Sequence, residues 1–493
     1  MSNLFPKTPT FTGFNEPRRI EAAIQDVEVE GELPAGLDGA FYRCGPDARF
    51  PPRLGDDINI NGDGLVTMFR FNGGHVDFRS RYVHTEKFAL EGAARKALFG
   101  MYRNPFTDDP SVAGRDRTTA NTTAMFHAGR LFALKEDGLP HELDPETLAT
   151  RGRFDYRGRM KSLTATAHPK IDPVSGEMLS HGYEARGLAT RDVALQVMSA
   201  DGNLVREEFF LAPYVSFMHD WAVSAGHFIF PVAPTTADAE RMRKGGPHWM
   251  FEPDRDCEIG IMRRDASTRD IRWYRARPGS VGHILNAFDD GDRVHIDLFI
   301  SERSQFPFIA NADGRPFDRE KSTPRLTRWT FDLSKPGSGF ESETLFSDFM
   351  EMPAIDNRYQ LHPYRHGFSA IVDSSKQVNA AGTLGVGWNT ITHFDLATGK
   401  LDRYYVGERT TCQEPCFVPR SAHAPEGDGY LLSVLTSFDG ETRTELAVFD
   451  AQRIAEGPMA RARLPFRLRA AVHGTWVPAG AACAPHAPLK QRE

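Results

Sequence analysis

Ala128-Gly-Arg-Leu-Phe-Ala-Leu134 and, just beyond it, Leu143-Asp-Pro-Glu-Thr-Leu148 are the two halves of a unit that recurs along the sequence. In the first half a hydrophobic strand leaves a glycine turn; in the second, Asp with Pro, Thr or Gly closes a hairpin. Ala225-Gly-His-Phe-Ile-Phe230 and Asp290-Gly-Asp-Arg-Val-His-Ile-Asp-Leu298 repeat the strand half. Ile171-Asp-Pro-Val-Ser-Gly176, Ser199-Ala-Asp-Gly-Asn-Leu204 and Phe394-Asp-Leu-Ala-Thr-Gly399 repeat the turn half. Irregularly spaced antiparallel units of this kind point to an all-β protein folded as a β-propeller, with the longer insertions capping one face. An array of β-sandwiches is the alternative, but it has no axis on which distant residues meet. Asn61-Gly-Asp-Gly64 reads as a tight hairpin turn into Leu65, and the best helical candidate is short, Glu91 to Phe99. Nothing of low complexity interrupts the sequence, so residues 1–493 read as a single propeller domain.

The composition sets limits on function. A net charge of -7 lacks the basic face that nucleic acid requires. The 35 Phe imply an aromatic-rich interior or a pocket for a flat apolar ligand. Five cysteines, Cys44, Cys257, Cys412, Cys416 and Cys483, are an odd number in a long polypeptide, which suits a reducing cytoplasm better than a disulfide framework. Cys412 and Cys416 lack the second pair a zinc site needs. The N-terminus has no cleavable apolar core and no run approaches a membrane span, so the expected location is cytoplasmic.

Ser216-Phe-Met-His219-Asp-Trp-Ala-Val223 reads as a short buried strand with an imidazole among apolar neighbours. A lone histidine so placed is ordinarily a core residue with one hydrogen bond. Thr164-Ala-Thr-Ala-His168-Pro, Val281-Gly-His283-Ile-Leu-Asn286 and Ala471-Val-His473-Gly-Thr-Trp476 repeat the setting far apart in the sequence. Four such histidines suggest a metal centre assembled from separate elements. An all-imidazole site suits iron, copper, nickel or zinc. Ligating rings need their second nitrogen fixed, which draws attention to Glu136, Glu351 and Glu414 in apolar or proline-bounded settings. His227, His295, His362, His366 and His393 fit the same pattern, and periodicity cannot select four ligands from 17 His.

A set of longer motifs narrows the choice: Leu33-Pro-Ala-Gly-Leu-Asp-Gly39, Ala167-His168-Pro-Lys-Ile-Asp-Pro173, Met218-His219-Asp220, His283-Ile-Leu-Asn-Ala-Phe288, Glu414-Pro-Cys-Phe-Val-Pro-Arg420, Glu426-Gly-Asp-Gly-Tyr-Leu-Leu-Ser-Val434 and Leu464-Pro-Phe-Arg-Leu-Arg-Ala-Ala-Val-His473. Across nearly the whole sequence these resemble the carotenoid cleavage oxygenase family, in its bacterial branch that cleaves stilbenes and phenylpropenes. The resemblance implies a seven-bladed β-propeller with capping loops and short helices over the metal face. It also implies Fe(II) on the axis, held by His168, His219, His283 and His473. Glu136, Glu351 and Glu414 would brace His219, His283 and His473 respectively.

Within that branch, Phe99-Gly-Met-Tyr-Arg-Asn-Pro-Phe-Thr-Asp-Asp-Pro-Ser-Val112 and Lys135-Glu-Asp-Gly-Leu-Pro140 place Tyr102 and Lys135 where the family contacts a phenolic 4-hydroxyl. Thr122 would lie near the metal's open position. Asn59 and Ile60 replace the aromatics that stilbene-cleaving relatives tend to carry, which tilts the expectation toward small phenylpropenes, isoeugenol or 4-vinylguaiacol. Phe306 and Phe308 would line the pocket. The implied partners are O2 and a phenolic alkene, and the oligomeric state stays open between monomer and homodimer. Rival readings are a stilbene-cleaving dioxygenase, an apocarotenoid-cleaving enzyme, and a binding propeller without enzymatic activity.

Overall fold

The aspartate turns are built as their sequence implies. In the computed structural model, which describes residues 4–335, 339–378, 387–438 and 442–481, Asp144 Oδ1 accepts from the Glu146 and Thr147 amides at 3.0 and 2.8 Å. This turn joins strands His141–Leu143 and Thr150–Arg153. Asp172 Oδ1 does the same for Val174 and Ser175 at 2.9 and 3.2 Å, and Asp395 for Ala397 at 3.0 Å. A carboxylate acceptor two residues behind an amide replaces a ladder bond, so each hairpin closes within the reach of one aspartate.

Strung on these turns are seven antiparallel sheets, the blades of a propeller. The second blade runs Thr123–His127, Arg130–Leu134, His141–Leu143 and Thr150–Arg153. The third begins at Lys170–Ile171, the fourth at Ala222–Val223, the fifth at Ser280–Asp290 and the sixth at Met350–Ile355. Segments near both ends of the sequence are sewn into the ring. His473–Pro478 is the innermost strand of the first blade, paired with Gly39–Pro46. Glu28–Gly31 is an outer strand of the seventh, paired with Ala460–Arg463. A small additional sheet, Thr235–Ala237, Trp249–Phe251 and Ala310–Asn311, belongs to the capping insertions.

The interior is aromatic, as the phenylalanine count implies. Between the third and fourth blades, Trp221 stacks on Phe228 and Phe230 with centroids 5.8 and 5.6 Å apart. Each such aromatic group removes roughly 150–250 Å² from water, the principal source of blade-to-blade cohesion.

Three local expectations are corrected. Ser216–Val223 is a strand only over Ala222–Val223. The preceding residues are a buried loop, held by Ser216 Oγ donating to the Ala233 carbonyl at 2.6 Å and the Phe217 amide to that of Thr235 at 2.8 Å. The helix runs Glu86–Ala94, N-terminal to the expected segment, because Thr85 caps it and Arg95 ends it at φ +52°. Glu91 then accepts from the amides of Leu98 and Phe99 at 2.8 and 3.1 Å, which fixes the strap leading to Tyr102. Asn61–Gly64 is not a hairpin: Gly39–Pro46 pairs with Gly64–Asn72 across a long connection. Gly62 has φ -66°, and a 2.7 Å bond from the Asp47 amide to the Asp63 carbonyl closes the connection. Among the described residues, no helix is long and apolar enough to cross a membrane.

Candidate metal centre

His168 precedes the innermost strand of the third blade and His219 that of the fourth; His283 lies in that of the fifth, and His473 opens that of the first. Strands that converge on an axis bring these positions together, and the four rings meet there. Successive Nε2 atoms of His168, His219, His283 and His473 are 3.2, 3.2 and 3.1 Å apart, and the four potential ligand atoms lie within 4.8 Å of one another.

Three of the rings are aimed by carboxylates. Glu136, in the turn after Arg130–Leu134, receives His219 Nδ1 at 3.1 Å. Glu351 receives His283 Nδ1 at 2.5 Å and also the His283 amide at 2.9 Å. Glu414 receives His473 Nδ1 at 2.6 Å. Both His283 and Glu351 sit where their strands slip register, and such bulges re-aim a residue out of the pleat. Glu414 is held in turn by the fully buried Arg43, whose guanidinium reaches the Glu414 carbonyl at 2.8 Å.

The electrostatics follow. Burial raises Glu136, but its bond to His219 and the charge of that ring bring it down to about 2. Burial disfavours charge on His283, yet the Glu351 carboxylate lifts it to about 9. His168 is held well below its ordinary value by burial and by the other three rings.

These residues fit a bound cation. With Nδ1–H donated to a carboxylate, each of three rings turns an Nε2 lone pair toward the common centre. Nε2 atoms 3.1–3.2 Å apart share either a proton or a cation, and four of them converging on one centre are a donor set that suits a metal ion. Other candidate histidines pair elsewhere: His227 with Asp289 at 2.7 Å, His295 with Thr330 at 2.9 Å, and His366 with His393 at 3.0 Å. His362 is likewise outside the cluster. The cysteines take no part; Cys44, Cys257, Cys412 and Cys416 are free, and Cys483 lies outside the described residues.

Above the rings, on the capping side, is a small cavity of about 40 Å³, lined by Pro46, Ile60, Tyr102, Asn121, Thr122, Lys135, Glu136, Phe217, His219, His283, Phe306, Phe308, Met352, Val472 and His473. Tyr102, Thr122, Lys135, Ile60, Phe306 and Phe308 are thus brought together over the metal centre; Asn59 is not among the lining residues. Lys135 is 3 % exposed. Its ammonium donates to Thr119 Oγ1 at 2.7 Å and to the Ile60 carbonyl at 3.2 Å, lies 3.5 Å from Asp137, and stands 5.2 Å from the Tyr102 ring centre. Burial lowers its pKa, with Asp137 and Glu136 opposing. Thr122 touches the centre through its backbone, its carbonyl accepting from the His473 amide at 3.1 Å.

Of the wall residues, Phe217, Asn121, Met352 and Val472 were not singled out from the sequence, whereas Phe306 and Phe308 were. Phe217 stacks on His219 with centroids 5.3 Å apart, and Phe306 meets the same ring edge-on at 5.8 Å. Asn121 donates to the carbonyls of Ile60 and Gly62 at 2.8 and 2.7 Å, tying the Ile60 loop to the second blade. Adjacency to a ligand, to Glu351 or to Thr122 was the available clue for Phe217, Met352, Val472 and Asn121.

A family model described as retinal pigment epithelial membrane protein, RPE65, matches residues 15–478. The protein belongs to the carotenoid oxygenase family. The protein is 45 % identical to isoeugenol monooxygenase of Pseudomonas putida over 476 residues, which cover 95 % of it and 98 % of the relative. It is 43 % identical to lignostilbene-alpha,beta-dioxygenase isozyme III of Sphingomonas paucimobilis over 482 residues, 96 % and 98 % of the two proteins. The crystal structure of Pseudomonas brassicacearum lignostilbene dioxygenase superimposes with a TM-score of 0.93 at 42 % identity, covering 97 % of this protein and 100 % of that one. The cobalt-substituted Synechocystis apocarotenoid oxygenase, at 26 % identity, gives 0.80 over 94 % and 97 %.

Proposed function

We propose that this protein is a non-haem Fe(II) oxygenase that cleaves the ring-conjugated double bond of 4-hydroxyphenyl alkenes of the isoeugenol or 4-vinylguaiacol type. The products are a vanillin-type aldehyde and a second carbonyl compound. The observation that carries the reading is the Lys135 ammonium, buried in an otherwise largely apolar cavity that it shares with Tyr102 and with His219, His283 and His473. A polyene gives such a cation nothing to do; a phenol does.

His168, His219, His283 and His473 hold the iron, which supplies activation of O2. Lys135 has three donors, two of them engaged within 3.2 Å by Thr119 and Ile60, and the third is offered to the substrate's phenolic oxygen. An ammonium beside a phenol stabilises the phenolate, whose charge delocalises through the ring into the conjugated alkene and makes it more reactive toward activated oxygen. Tyr102 flanks the same oxygen. Phe217, Phe306 and Phe308, packed on one another, give the cavity an aromatic wall that keeps water from the reacting carbons. The four described cysteines, all free, support a reducing, cytoplasmic setting.

A second reading, cleavage of a 4-hydroxystilbene, is favoured by the likeness to lignostilbene dioxygenase. Ile60 weighs against it, since it lines the cavity with a branched aliphatic where a second aryl ring would look for a flat partner. O2 uptake by Fe(II)-loaded protein with isoeugenol, 4-vinylguaiacol and a 4-hydroxystilbene, with analysis of the aldehydes, separates the two. Turnover of the small alkenes alone supports the first reading, and preference for the stilbene establishes the second. Absence of uptake with all three defeats both.

A further inference from the structure

The four imidazoles divide the propeller axis into two compartments. One is the capping cavity. The other, on the opposite side of the rings, is a channel of about 1340 Å³, part of it open solvent, walled by the innermost strands of the blades beyond the histidines. Met125, Lys170, Asp220, Leu285, Ala354 and Thr475 lie along it. His283 and His473 face both compartments, His219 only the capping cavity, and His168 only the channel.

His168 differs from the other ligand candidates in a second, independent way. Glu136, Glu351 and Glu414 pin the Nδ1 atoms of His219, His283 and His473, whereas among the described residues no carboxylate or carbonyl is paired with the Nδ1 of His168. What is fixed is its backbone. The His168 amide donates to Thr166 Oγ1 at 3.0 Å, and its carbonyl accepts from Trp221 Nε1 at 3.1 Å. The backbone is therefore held, while the ring meets the other imidazoles through its Nε2 and its faces and, among the described residues, has no brace on its Nδ1. The channel also offers carboxylates, Asp220 paired with Lys170 at 2.7 Å and Glu414, at the mouth of the site. The capping cavity offers a single carboxylate, Glu136, against the Lys135 ammonium, where the channel sets two against Lys170.

We infer that the metal is loaded and lost through the axial channel, with His168 as the ligand that turns aside while the three carboxylate-braced imidazoles keep hold. The inference rests on the metal-centre reading above. Its consequence is that the metal exchanges without clearing the substrate cavity.

The test is the rate of Fe(II) release from the anaerobic holoenzyme into excess chromophoric chelator, followed by absorbance. Ala354→Trp narrows the channel from the sixth blade and should slow release at least tenfold; Thr475→Trp, on the first blade, does the same should the other fail to fold. Trp221→Phe frees the His168 carbonyl and should speed release severalfold. Saturating isoeugenol without O2 should change the rate less than twofold. Release that is unaltered by either channel substitution, or slowed tenfold by the bound alkene, overturns the route. An unchanged rate in Trp221→Phe overturns the part assigned to His168. Protein that purifies and reconstitutes without iron fails the metal reading instead, a result distinct from each of these.

Discussion

Lys135 places a positive charge where burial disfavours it, and Thr119, Ile60 and Asp137 together make that charge tolerable. Lys135→Met keeps the bulk of the lysine and removes the donor. For a 4-hydroxy alkene, kcat/KM should fall about 10²–10³-fold, the usual cost of one preorganised donor to developing charge. The 4-methoxy analogue, slow with the parent enzyme, should be turned over at nearly the same rate by both, and the ratio of the two substrates measures the effect. Glu351 does a different job, receiving two donors from His283. In Glu351→Gln the ring loses a charged partner, and iron affinity should fall about 10–100-fold in competition with a chelator. Substrate affinity in the metal-loaded variant should stay close to the parent value, because Glu351 does not line the capping cavity.

At the scale of the element, the hairpins at Asp144, Asp172 and Asp395 were legible because the aspartate accepts from amides just beyond it, a local determinant. Asn61–Gly64 carries an equally local turn signal, yet it serves a long connection because the partner of Gly64–Asn72 is Gly39–Pro46. The four histidines that meet on the axis were not legible from periodicity, because what distinguishes His283 from His295 is a bulge and a place on an innermost strand, neither of which leaves a local pattern. Family motifs supplied that selection. The helix was misplaced for a similar reason: Thr85 sets its start, while Leu98 and Phe99 extend the apolar pattern past its end to serve Glu91. Asn59 shows the limit of reading a pocket from neighbours in sequence, since only Ile60 of the pair reaches the cavity. The strands away from the axis bear their own consequence. His141, His181 and His393 lie in strands behind the innermost ones and are pushed down to about 4, chiefly by burial. Their folded values lie below the ordinary 6.5, so protonation favours the unfolded state. The stability they contribute is full above pH 6.5 and is lost as pH falls through the window from 6.5 to 4, at most of order 3 kcal/mol each. Denaturant midpoints should therefore drop steeply between pH 6.5 and 4.5. His181→Gln, which can still donate to the Met218 carbonyl, should make that slope shallower by about one proton.

On the scale of the whole molecule, the centre draws one residue from every blade. His473, His168, His219 and His283 come from the first, third, fourth and fifth; Glu136, Glu351 and Glu414 come from the second, sixth and seventh. The ring is closed by strand pairing, His473–Pro478 in the first blade and Glu28–Gly31 in the seventh, and by Arg43 of the first blade donating to the Glu414 carbonyl of the seventh. A cation on the axis therefore adds a common tie to blades that pack mainly on their neighbours and are crossed by few contacts such as Glu136 to His219. Binding at a free metal concentration of about 1,000 times Kd adds about 4 kcal/mol, and here that energy is shared around the ring. Removing the metal should lower the thermal transition as one step, without splitting off an early-melting group of blades. Hydrogen exchange should quicken in the innermost strands of all seven blades, including Thr123–His127, Met350–Ile355 and Cys416–Pro419, which carry no ligand histidine. Loss of protection confined to the strands of the four histidines would mean that the glutamates only orient rings, and that the ring of blades holds together without help from its axis.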